Sequence, residues 1–133
     1  MTTDSEYTRA DSFFEAVGGE QTFRRLVTAF YRGVAADPPL RALYPEEDLA
    51  GATDRLTLFL IQYWGGPTTY SRTRGHPRLR LRHVPYAITI AQRDAWLRHM
   101  RAALDEIALP PQYDTMMWDY LTGAADSLRN VAE

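Results

Sequence analysis

The chain has 133 residues, enough for one domain with its own core, and its formal net charge is −2. It contains no cysteine, which excludes disulfides, thiolate metal sites, iron–sulfur clusters and thioether-linked haem. Lysine is absent too, since all 15 basic residues are arginine, so Schiff-base chemistry and a phosphate-loop lysine are excluded, and the mild acidity argues against a nucleic-acid partner.

Residues 1–11 are polar, carry Asp4 and Glu6, and lack the apolar run of a signal peptide. They are expected to form a disordered tail ahead of a single domain over residues 12–133. No apolar run is long enough to span a bilayer, and a cytoplasmic protein is expected. Ser12 and Glu15 form a capping-box pattern that predicts a short helical turn over residues 12–17. After Gly18-Gly19, a stripe of Phe23, Leu26, Val27, Phe30, Tyr31 and Val34 has the helical period, with Thr22 or Glu20 as candidate cap and Asp37-Pro38-Pro39 as the stop.

A second long helix is predicted from a cap near Asp48, with Leu49, Ala52, Leu56, Phe59, Leu60 and Tyr63 on its apolar face and Gly65-Gly66-Pro67 at its end. A third opens on the capping box Thr89 to Gln92 and buries Ala95, Trp96, Met100, Ala103, Leu104 and Ile107 before Pro110-Pro111. A fourth follows Pro111, with Tyr113, Met116, Met117, Tyr120, Leu121, Ala124 and Leu128 inward. Only residues 78–83 alternate as a strand would. A short helical turn is preferred there, because a lone strand would lack a partner. The fold class is all-α.

A plain four-helix bundle needs short polar loops, yet the connection over residues 65–85 is long and carries five arginines and two histidines. His76, in Gly75-His76-Pro77, reads as a capping or solvent-exposed imidazole, and His99 as a residue at the border of the third helix's apolar face. His83 shares a face with Leu79 if the turn is helical, and is either a structural imidazole or a metal ligand. No cluster of His, Asp and Glu has the spacing of a multi-ligand metal site. A single histidine holds a metal only where a cofactor supplies the other ligands, as haem does. Arg74, Arg78, Arg80 and Arg82 around it suit either propionate carboxylates or a solvated loop face.

Phe30-Tyr31, Leu43-Tyr44-Pro45, Gln62-Tyr63-Trp64-Gly65-Gly66-Pro67, Gly75-His76-Pro77, Leu81-Arg82-His83 and Asp94-Ala95-Trp96 occur in this order. Together they resemble the group II (type-O) truncated haemoglobins over roughly residues 12–130. The resemblance implies a two-over-two helical sandwich around haem b, in which the first helix is nearly lost and the proximal helix shrinks to about one turn. It implies that His83 is the iron ligand, that Tyr31, Tyr44 and Trp96 face the bound ligand, and that Ala52 stands where other globins keep a distal histidine. Leu56 would form the adjoining apolar wall, with Tyr70, Arg74 and Arg82 as partners of the haem propionates.

Such a site implies binding of O2 and other diatomic ligands, for carriage or sensing. The alternative is redox catalysis on the same haem, either NO dioxygenation or peroxidase-like turnover, with an external reductase as electron donor. Ala52 leaves no distal base for peroxide, which makes an efficient peroxidase the weaker alternative. Without the resemblance, the three aromatic residues read as core side chains at helical spacing in preference to ligand donors. Trp118 marks either a core position or a subunit interface in a homo-oligomer.

Overall fold

The structure is a computed structural model and describes residues 12–45, 49–76 and 88–128. The predicted tail, Asp48, the short turn over residues 78–83, Arg82 and His83 lie outside the described residues. Every described element is a helix: α1 (Phe13–Ala16), α2 (Glu20–Ala35), α3 (Pro38–Arg41), α4 (Ala50–Tyr63), α5 (Thr69–Arg74), α6 (Ile90–Ile107) and α7 (Pro111–Leu128). The all-α expectation holds.

The long helices form two pairs, α2 with α4 and α6 with α7, and the pairs meet where α2 packs along α6. The core sits at that junction. Phe23, Leu26, Val27, Phe30 and Val34 of α2 meet Met100, Ala103 and Leu104 of α6, with Leu60 of α4 and Met117 and Leu121 of α7. The helical stripe of α2 is therefore its buried face, as the spacing predicts.

Local chemistry sets the ends. Ser12 Oγ accepts from the Glu15 amide at 3.2 Å, which is the Ser12 half of the predicted box. The reciprocal box at Thr89 and Gln92 is complete. The cap of α2 is neither Thr22 nor Glu20 but Gly19, at φ 73°. Thr22 instead donates its hydroxyl to the Val17 carbonyl at 2.6 Å, and Glu20 is the first helical residue. Leu49 occupies the cap position of α4 and has no capping side-chain bond.

Gly65 follows the end of α4 at φ 101°, a conformation that favours glycine, and a side chain there would come 2.7 Å from Ser12 Cβ. That close approach lets α1 dock against the end of α4, where the Phe14 amide donates to the Trp64 carbonyl at 2.9 Å.

Two elements were not expected. Pro38-Pro39, read as a stop, also open α3, because proline suits the first turn of a helix. The long connection contains α5, tied to α4 by Gln62: its Nε2 donates to Ser71 Oγ at 2.7 Å and its Oε1 accepts from the Ser71 amide at 2.9 Å. Two stripe residues depart from expectation. Tyr63 is 51% exposed and Met116 45%, since both lie where helix ends or neighbours leave the pattern uncovered. No described helix is long and apolar enough to cross a membrane.

Candidate functional site

A cavity of about 580 Å3 lies between the helix pairs, a size typical of small-molecule and cofactor sites. α2 contributes Tyr31, and the turn after α3 contributes Leu43 and Tyr44. α4 lines one wall with Ala52, Arg55, Leu56, Phe59 and Leu60, which fall on one helical face by their spacing. α5 adds Tyr70 and Arg74, α6 adds Gln92, Arg93 and Trp96, and α7 adds Tyr120 and Leu121. Tyr31, Tyr44, Trp96, Ala52, Leu56, Tyr70 and Arg74 thus share one cavity.

The aromatic residues interlock. Tyr31 is buried, and its ring stands edge-on to Tyr44 at 5.4 Å and to Phe30 at 4.8 Å. Phe30 in turn lies 4.9 Å from Trp96, which bridges α2 to α6. Arg41 Nη1 donates to the Tyr44 carbonyl at 2.8 Å and pins the turn. On the opposite side, Phe59 and Tyr70 meet edge-on at 5.7 Å, and the Arg74 guanidinium sits 5.8 Å from the Tyr70 ring centre. Burial, with a smaller contribution from Tyr63, pushes the Tyr120 phenol up to about 12.

Sequence reasoning did not find Arg55, Gln92 or Arg93 as cavity residues. The signal was present for Arg55, three residues after Ala52 on the same face. Arg93 is held by Asp94 at 2.9 Å and by Asp126 of α7 at 2.5 Å. The other two histidines are placed as their contexts suggest: His76 is exposed, and half-buried His99 pairs with Asp37 at 2.8 Å. Among the described residues no three or more His, Cys, Asp or Glu side chains gather into a possible metal site.

The cavity's chemistry fits haem. Its wall is mainly apolar and aromatic, hydroxyl and indole donors stand in it, and the cationic Arg55, Arg74 and Arg93 lie on its lining. A planar apolar macrocycle with two carboxylates needs those three kinds of contact.

Comparison with known proteins agrees. The chain belongs to the bacterial-like globin family, which matches over residues 12–130. Within it, the chain falls among the group 2 truncated haemoglobins: it is 38% identical over 120 residues to the group 2 truncated hemoglobin YjbI of Bacillus subtilis (strain 168), covering 90% of this chain and 89% of that protein. The crystal structure of a thermostable hemoglobin from the actinobacterium Thermobifida fusca superposes with a TM-score of 0.90 at 61% identity, covering 92% of this chain and 99% of that one. The truncated oxygen-avid haemoglobin of Bacillus subtilis superposes with a TM-score of 0.85 at 37% identity, covering 90% and 100%. Globins bind haem and, through it, small diatomic ligands such as O2. The helix pairs are accordingly the two-over-two sandwich of a truncated globin.

Proposed function

We propose that this protein binds O2 and other diatomic ligands on haem b ligated by His83, with Tyr31, Tyr44 and Trp96 as the donors facing the ligand. The convergence of those three side chains, from three segments, on one cavity carries this reading. Bound haem supplies an iron that takes a diatomic ligand and places partial negative charge on it. Two phenols and an indole N–H in a dry pocket stabilise such charge and slow ligand release. Ala52, with no polar side chain, leaves that task to the aromatic donors. Leu56, Phe59 and Leu60 exclude water, and Tyr70 with Arg74 and Arg82 holds the propionates. The likeness to an oxygen-avid relative supports slow O2 release here too.

Removing the indole N–H costs one hydrogen bond to a charged acceptor. Trp96→Phe is therefore expected to speed O2 dissociation about tenfold or more, measured by rapid mixing. An unchanged rate removes the donor role. His83→Ala is expected to lose the haem or its normal ferrous spectrum, and a variant that keeps both overturns the ligand assignment.

A second reading, redox turnover with an external electron donor, is favoured by one observation. Tyr120 lines the cavity and stacks at 4.0 Å on Tyr63, which is half-exposed, so an aromatic contact runs from the site to the surface. Steady turnover of NO or peroxide with a supplied reductant, lost in Tyr63→Leu, would favour it over simple binding.

A further inference from the structure

We infer that His99 is a positioning residue for the ligand-facing side of the cavity: its pairing with Asp37, in a seat left by Gly33, fixes the Tyr44 turn relative to Trp96. The inference rests on the proposed donor roles of Tyr44 and Trp96.

Three elements meet at this imidazole. His99 lies on α6, three residues beyond Trp96. Its Nε2–H donates to Asp37 Oδ2 at 2.8 Å, both side chains are largely shielded (23% and 18% exposed), and Arg98 Nη2 stands 4.0 Å from the same carboxylate oxygen. Asp37 is the N-cap residue of α3. From there to Tyr44 the chain has no slack. The Arg41 amide donates to the Asp37 carbonyl at 2.7 Å, Leu43 to Leu40 at 3.1 Å and Tyr44 to Arg41 at 3.0 Å, and the Arg41 side chain returns to the Tyr44 carbonyl. Asp37 and Tyr44 therefore move together. Trp96 and His99, on one helix, also move together. The Asp37–His99 bond couples these two bodies.

The third element supplies the seat. A methyl group at Gly33 of α2 would come 2.5 Å from His99 Nδ1 and 3.2 Å from its Cγ, closer than packed atoms allow. The ring thus rests against bare backbone, which sets its depth between α2 and α3. A residue that merely bordered the apolar face of α6, as the sequence reads it, would need neither the seat nor the carboxylate.

Haem-loaded His99→Phe, His99→Gln and Gly33→Ala test this, each read by O2 dissociation rate, C–O stretching frequency of the CO form and melting temperature. His99→Phe loses one hydrogen bond across the two bodies and is expected to speed O2 release about fivefold or more and to shift the C–O stretch. His99→Gln, whose amide N–H can reach Asp37, is expected to restore the parent rate to within about twofold. Gly33→Ala drives the ring from its seat, so release should quicken, while its gain in helix propensity offsets part of the stability lost with the Asp37–His99 bond. Parent values of release rate and C–O frequency in both His99→Phe and Gly33→Ala overturn the inference. Trp96→Phe is measured alongside: no effect there removes the donor reading itself, whereas an effect there and none in the position 99 and 33 variants removes only the positioning role.

Discussion

Thr57 lies wholly buried in the middle of α4, and its hydroxyl finds no hydrogen-bond partner among the described residues. A buried unpaired hydroxyl costs about 1–3 kcal/mol, whereas an apolar group of the same shape costs nothing comparable. Thr57→Val is expected to raise stability by about 1 kcal/mol, read as a higher urea midpoint at unchanged slope. A lower midpoint would show that the hydroxyl holds the helix in place. No pattern in the sequence marks Thr57, because a threonine between Leu56 and Leu58 reads as a face boundary. Ala52, Leu56, Tyr31 and Trp96 were legible as inward residues from spacing, but their shared destination was not. Periodicity says which side of a helix is covered and is silent on which cavity that side faces. The ordered set of short motifs implied the convergence, and the described members of that set line one cavity.

The four long helices were readable from caps and stripes and α1 from its Ser12 cap, whereas α3 and α5 were not. α2, α4 and α6 end at Ala35, Tyr63 and Ile107, close to where proline and glycine signals put their limits. α3 and α5 span four and six residues, too few to show a period, and are held by other means: proline at the start of α3, and the Gln62 side chain for α5. The twofold contact of Gln62 with Ser71 fixes α5 and with it Tyr70 in the cavity lining. Gln62→Ala breaks both bonds and leaves the Ser71 amide without that acceptor, at a cost of about 1–3 kcal/mol. The expected result is faster haem loss to an acceptor globin, with the O2 dissociation rate of the loaded fraction little changed. Haem loss at the parent rate would show that α5 is held by its backbone alone.

Charged contacts stitch the helix pairs together across the molecule: Arg24 to Asp54 between α2 and α4, Arg32 to Glu106 between α2 and α6, and Arg101 to Asp114 between α6 and α7. The first two are exposed and each contributes little. Stability against pH is expected to turn on two other groups. Hydrogen bonding from His99 holds the Asp37 carboxyl below its ordinary value, so its contribution is whole above about pH 4 and fades as pH falls through the lowered value. Tyr120 titrates near 12 in the folded chain against 10.0 ordinarily, so stability falls as pH climbs between those values. Urea unfolding across pH is expected to show a smaller acid-side slope in Asp37→Asn and a smaller alkaline-side slope in Tyr120→Phe; slopes equal to the parent's would remove either assignment. The bare seat beneath His99 also constrains how such a sequence can drift over generations. Helix propensity alone would exchange Gly33 for alanine, and the imidazole's closeness opposes that exchange. The constraint runs one way: a descendant that acquires a side chain at position 33 must first, or at the same step, shed bulk at position 99.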